Sequence, residues 1–289
     1  MKNFEYSEPA SLDEAVALLR GGPAPASLIA GGTDLMVQMK EHVRQPAHVI
    51  NIKKIPGMDD FAFDPQGGLL LGALVTTRQV ETSPVTLRHY ASLARAATDF
   101  ASIQVRHRAT VVGNVCRASP SADTLPPLIA DGAVLRIHGP AGQRRCAVED
   151  FCTAPGRTVL APDEIVTHIE IPAPPPRTGK VYIKHGRRAQ MELATVGVAV
   201  RVSLDGHGAV EDLAIVLAAV APTPLRAAKA EAVLRGRRPT AERLAEAALA
   251  ASGEARPIGD VRGSAAYRRE MVRVLTRRAL EQALQEIQP

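Results

Sequence analysis

Leu28-Ile29-Ala30-Gly31-Gly32-Thr33-Asp34-Leu35 is the stretch that decides how this chain is read, together with a second segment some 80 residues on, Thr110-Val111-Val112-Gly113-Asn114-Val115-Cys116-Arg117-Ala118-Ser119-Pro120-Ser121-Ala122-Asp123. Each runs from an apolar, strand-like stretch into small and hydrogen-bonding residues. Glycine carries no Cβ and tolerates positive φ, so such loops let main-chain N–H groups approach a phosphate closely. Thr33 or Asp34 can cap a short helix after the first loop, whose positive dipole end then faces an anion. Two loops of this kind can hold one diphosphate from two sides, which points to a dinucleotide. The G-x-G-x-x-G fingerprint and the Walker phosphate loop are both absent, so a nicotinamide Rossmann site and a P-loop lose support. Asn114 can turn its amide toward a ring or phosphate. Asp123 either accepts ribose hydroxyls or caps the helix that starts at Leu125.

Working outward, Ser11-Leu12-Asp13-Glu14 reads as a capping box opening a helix that ends at Gly21-Gly22, and Thr76-Thr77-Arg78-Gln79 offers another. Short strands are expected at 27–30, 48–52 and 69–71, an alanine-rich helix at 91–101 and a short helix at 125–130. Gly139-Pro140-Ala141-Gly142 joins strands at 133–137 and 144–148, and 165–171 is a strand stopped by Pro172. The proline-rich run from Pro172 to Thr178 reads as an inter-domain linker. Beyond it come strands at 180–185, 194–204 and 210–219 with an Asp205-Gly206-His207-Gly208 turn, then helical patterns at 224–234, 240–251 and 264–287. Strands followed by helices imply an α+β layer.

Composition narrows the function classes. With 46% hydrophobic and 22% charged residues the chain can bury a sizeable core. Aromatics are only 3%, so that core is built of Leu, Val, Ile and Ala. The net charge of +5 lies wholly in the stretch from Arg226 onward, where 13 Arg and Lys face 8 Asp and Glu. There the cations alternate with acids and alanines and Tyr267 is the single aromatic among them, too few for base stacking, so nucleic-acid binding is not expected. Cys116, Cys146 and Cys152 are too few for four-thiolate ligation. The eight histidines are scattered without metal-ligand spacing, and no Gly-x-Ser-x-Gly elbow is present. No apolar signal core or span of ~20 apolar residues appears. A cytoplasmic protein without a metal site is expected.

Taken together these segments resemble the FAD-binding medium subunit of the molybdenum hydroxylases, the family of xanthine dehydrogenase, aerobic carbon monoxide dehydrogenase and related aromatic-heterocycle dehydrogenases. The likeness rests on Ala30 to Leu35, on Thr110 to Asn114 running into Ala118-Ser119-Pro120 and Asp123, on Ile165 to Pro172, on Lys184-His185-Gly186-Arg187-Arg188, and on Tyr267-Arg268-Arg269 with Arg278-Ala279-Leu280. It covers essentially the whole chain in order. One departure is Val112, where relatives often carry a second glycine.

The resemblance implies an α+β chain: a bipartite FAD-binding domain of two α/β lobes at 1–175, divided near 55–60, then a smaller α+β domain at 176–289 with an antiparallel three-stranded sheet and helices. It implies that Leu28, Ile29, Ala30, Gly31, Gly32, Thr33, Asp34 and Leu35 cradle the diphosphate of a non-covalent FAD. Thr110, Gly113 and Asn114 would approach the diphosphate and flavin, with Ser119 in the same loop, and Asp123 would touch the ribose or a nearby polar part of FAD. Phe100 falls at an adenine-side contact, Val166 and Lys184 at further contacts. No side chain is implied as an acid–base catalyst. Arg187 and Arg188 stand as candidates for tuning flavin potential or acceptor access. The implied partners are a large molybdopterin subunit and a small subunit with two [2Fe-2S] clusters, assembled as a dimer of heterotrimers. Electrons would pass from the clusters through FAD to NAD, a quinone or oxygen. Two other readings stay open at this point: a self-sufficient FAD-dependent oxidase or dehydrogenase, and a non-enzymatic nucleotide-binding assembly subunit.

Overall fold

The N-terminal lobe follows from alternating strands and helices. In the computed structural model, which describes residues 1–287, β1 (Glu5–Ser7), α1 (Leu12–Gly21), β2 (Ala26–Ile29), α2 (Leu35–Lys40) and β3 (His48–Asn51) succeed one another. The strands form a parallel sheet in the order β1-β3-β2, as expected when helices make the crossovers. Ser11 caps α1 by accepting from the Glu14 N–H at 3.1 Å, while the Glu14 carboxylate reaches one residue further back than a capping box requires, to the Ala10 N–H at 2.7 Å. The Thr76–Gln79 box forms in full.

The second lobe is built on a five-stranded antiparallel sheet. Its strands are β4 (Phe61–Asp64), β5 (Gly68–Gly72), β6 (Val134–Gly139), β7 (Gly142–Ala147) and β8 (Ile165–Ile171), in the order β4-β5-β8-β6-β7. Between β5 and β6 lie several helices, of which α3 (Ala91–Asp99), α4 (Val111–Arg117) and α5 (Leu125–Ala130) bear on the site. The stretch from Val111 is thus helical rather than strand-like, because the Thr110 hydroxyl takes the Gly113 N–H and caps it. Helix α1 ties the two lobes, with Asp13 on His138 at 2.9 Å and Arg20 on Asp163 at 3.7 Å.

The C-terminal sheet comprises β9 (Thr178–His185), β10 (Val196–Leu204), β11 (Val210–Ala218) and a two-residue β12 (Leu225–Arg226), all antiparallel in that order. Sequence periodicity gives three of these four strands, and the helix expected from residue 224 begins later, as α6 (Ala228–Leu234). It is followed by α7 (Ala241–Glu254) and α8 (Ala265–Ile287). Side chains alternate across a strand. One face, with Val181, Val198, Val200, Leu213 and Ile215, packs on the three helices. The other, with Tyr182, Ala199, Ala214 and Val216, joins the core of the second lobe, where β9 meets α3 and α5 covers β10 and β11.

Because both faces are covered, the polar residues Lys180 and Tyr182 of β9 are buried. Lys180 and Asp131 pair at 2.8 Å, each side chain at most 5% exposed, and the Lys180 ammonium lies 4.6 Å from the Tyr90 ring centroid. Burial pushes the Asp131 carboxyl up and the Lys180 ammonium down, each opposed by its partner. Truncating one member of such a pair strands the other charge, a loss of about 3–5 kcal/mol, whereas apolar replacement of both is close to neutral. Lys180→Met should therefore lower unfolding stability far more than Lys180→Met combined with Asp131→Leu. Equal losses in urea titrations would show that the pair contributes through packing alone.

Candidate functional site

The two glycine segments meet in space. Strand β2 delivers Gly31 against the chain that leads into α4: a Cβ at Gly31 would lie 2.0 Å from the Arg108 carbonyl oxygen and 3.0 Å from the Ala109 Cα. Only glycine permits that approach. Gly32 follows at φ +73°. Asp34 occupies the N-cap position of α2 but makes no side-chain cap. Its carboxylate instead pairs with Arg117 at 2.9 Å, at the far end of α4, and accepts from Gln38. An ion pair at the surface is weak by itself, but here it reinforces the backbone contact at Gly31.

These contacts leave a row of donors. Among the described residues, the N–H groups of Gly31, Gly32, Thr33 and Asp34 donate to no protein acceptor. Successive free N–H groups at a helix start make a concave site for an anion. In the facing segment, the Asn114 carbonyl oxygen accepts from the Thr124 hydroxyl at 2.6 Å, which leaves the amide nitrogen as its donor. A Cβ at Gly113 would stand 2.8 Å from the Thr110 hydroxyl oxygen. The donor set fits a diphosphate-bearing nucleotide.

Asp123 is 5% exposed and reaches across to β9. Its Oδ1 accepts from the Tyr182 hydroxyl at 2.8 Å and its Oδ2 from Lys184 Nζ at 2.8 Å. Burial pushes the Asp123 carboxyl up, and Lys184 and Tyr182 draw it back. The same Lys184 ammonium donates to the Asp99 carbonyl at 2.9 Å, next to Phe100. The Phe100 carbonyl is in turn held by buried Arg106 at 3.0 Å. Phe100, Asp123 and Lys184 are thus one connected group. Ser119 sits in the turn between α4 and α5, its carbonyl accepting from Ala122 N–H at 3.0 Å and its hydroxyl from Ser121 N–H at 3.3 Å. Val166, 4% exposed on β8, is in the core with Val111, Val112 and Val115 of α4, which packs on that strand. Arg187 and Arg188 lie on an exposed loop, with Glu192 at 3.9 and 3.2 Å.

Sequence reasoning missed Tyr182, Arg117 as the partner of Asp34, and the Arg108 backbone. The signal for Tyr182 was present: Lys180, Tyr182 and Lys184 share one strand face opposite Val181 and Ile183. Burial pushes the Cys116 thiol up to about 12 and that of Cys152 up to about 11, so neither is a thiolate at neutral pH. No group of three or more His, Cys, Asp or Glu among the described residues is placed to hold a metal ion. No helix among them is long and apolar enough to cross a membrane.

Comparisons with known proteins bear on the chain as a whole. Residues 2–174 match the FAD binding domain in molybdopterin dehydrogenase, and residues 181–283 match the CO dehydrogenase flavoprotein C-terminal domain. The chain is 34% identical over 280 residues to the carbon monoxide dehydrogenase medium chain of Hydrogenophaga pseudoflava, covering 97% of this chain and 96% of that one. It is 30% identical over 283 residues to a xanthine dehydrogenase FAD-binding subunit of Escherichia coli O157:H7, covering 96% and 95%. A chain in the solved structure of carbon monoxide dehydrogenase from Hydrogenophaga pseudoflava superposes with a TM-score of 0.94 at 35% identity, covering 98% of both chains.

Gly31→Ala should displace the 108–110 segment and lower FAD retention at least tenfold, whereas Gly21→Ala, with open space around it, should leave retention unchanged. Equal retention in both purified variants, read from flavin absorbance, would contradict the role of the loop contact. At pH 8 the folded chain should protect Cys116 and Cys152 from iodoacetamide over a period in which the urea-unfolded chain is fully alkylated. Fast labelling of the folded chain, located by peptide mass, would contradict the shielding of these half-buried thiols.

Proposed function

The chain belongs to the FAD-binding medium subunits of the molybdenum hydroxylases, and from that premise we propose that it relays electrons from [2Fe-2S] clusters on a small partner subunit to an external acceptor such as NAD, a quinone or oxygen. The observation that carries this reading is the row of free N–H groups at Gly31 to Asp34, held against the segment that leads into α4. In this reading those groups bind the diphosphate. Thr110, Gly113 and Asn114 line its other side with Ser119 in the adjoining turn, and Asp123 accepts from the ribose. Lys184 balances the Asp123 charge and holds the Asp99–Phe100 backbone, and Val166 backs α4. Leu28, Ile29, Ala30 and Leu35 set the loop between β2 and α2. FAD, when bound, supplies a carrier that takes up electrons singly and gives them up in pairs.

The chain contributes positioning rather than acid–base chemistry. Three cysteines cannot ligate the clusters, so those and the molybdopterin belong to a small and a large partner, paired as a dimer of heterotrimers. The boundary of the FAD-binding part is taken near 175, after β8 ends at Ile171. Arg187 and Arg188, on their exposed loop, are the residues to test for an effect on flavin potential or acceptor access.

The test is purification of the native complex. Three subunits should co-purify with flavin and iron–sulfur absorbance, and reduction through the large subunit should bleach the flavin of this one. Substrate turnover by the isolated chain, or a native complex without a molybdopterin or cluster subunit, would overturn the reading.

A further inference from the structure

The turn between α4 and α5 carries Ser119 and Asp123, yet much of what fixes it comes from the C-terminal sheet, 60 to 100 residues away in sequence. At one end the Pro120 carbonyl accepts from the Ala219 N–H at 2.8 Å. Ala219 is held in the left-handed region, at φ +62°, by Arg268, whose Nη1 donates to the Ala219 carbonyl at 2.8 Å. At the other end Asp123 is gripped by Tyr182 and Lys184, at 2.8 Å each. A carboxylate offers about four lone-pair positions. Two are taken here by different donors on different oxygens, so the carboxylate plane is fixed rather than free to rotate toward Lys184.

Tyr182 is well placed for that task. Its ring is 3% exposed and packed in the core of the second lobe. The hydroxyl is bracketed by Gly197 on β10, where a Cβ would stand 3.0 Å from it. Burial and the Asp123 charge hold the phenol well above its ordinary range, so it remains a donor at any working pH. We propose that Tyr182 is a positioning residue for FAD: its hydroxyl orients Asp123 so that the remaining lone pairs of the carboxylate are presented to the ribose. This rests on the reading that Asp123 contacts the cofactor.

The experiment compares Tyr182→Phe, Asp123→Asn and the double variant in the full chain, stripped of flavin and titrated with FAD. The readings are the dissociation constant from fluorescence quenching, the visible circular dichroism of bound flavin and the thermal midpoint of the flavin-free chain. Asp123→Asn should weaken binding at least about tenfold, as for loss of one hydrogen bond to a charged group, and Tyr182→Phe roughly fivefold, less because the hydroxyl acts only through the carboxylate. The double variant should be no weaker than Asp123→Asn alone, because the hydroxyl acts through the carboxylate. A lowered thermal midpoint with unchanged affinity and dichroism in Tyr182→Phe would make the hydroxyl structural only and overturn the proposal, as would additive losses in the double variant. Unchanged affinity in Asp123→Asn would remove the Asp123 assignment itself, a separate failure. If Tyr182→Phe does not fold, Gly197→Ala, which crowds the hydroxyl, should weaken FAD binding in the same way, and unchanged affinity there would also overturn the proposal.

Discussion

Two lysines on one face of a single strand, each set against an aspartate of the preceding lobe, are the constraint from which the rest of the architecture follows. Lys180 meets Asp131 and Lys184 meets Asp123, with Tyr182 between them on the same face. Charges leave water only when paired, so β9 has one acceptable register. A slip by one residue would place Val181 and Ile183 against the aspartates and drive both lysines among the helices. The pairing therefore fixes where the C-terminal sheet sits on α3 and α5. It also fixes the position of the Asp99–Phe100 backbone and of the turn that ends at Asp123.

The N-terminal lobe is attached by a different principle. Its decisive contact is backbone against backbone, at Gly31 and Arg108, supported by the Asp34–Arg117 and Asp13–His138 pairs. The proposed cofactor site is thus assembled from three pieces: the turn after β2, the segment around α4, and the inward face of β9. Each piece supplies different groups, so the segments are informative as an ordered set.

Much of this was legible in the sequence where local chemistry decides. The capping residues Ser11 and Thr76 and the strand ended by Pro172 could be read directly, because each depends on neighbours within a few positions. The helix at Val111 could not. Two β-branched valines favour a strand, and only the Thr110 cap and burial against β8 override that preference. The two-residue strand at Leu225–Arg226 has no period to detect. The Lys-Val-Tyr-Ile-Lys pattern of β9 looks like a strand with a wet face. Its lysines are dry because their partners lie some 50 to 60 residues upstream, a fact that no local window contains. Asp123 was legible as a polar residue of interest, but its two protein partners were not.

The closure at Gly31 has a bearing on energetics. The turn after β2 and the approach to α4 are held by protein groups alone, through a main-chain contact and an ion pair. Contacts of this kind restrain the torsions of both segments. Each torsion restrained by protein contacts is one that a bound nucleotide need not order, so less of its attraction is diverted into that task. Tight yet reversible retention is then compatible with a link that involves no shared electron pair.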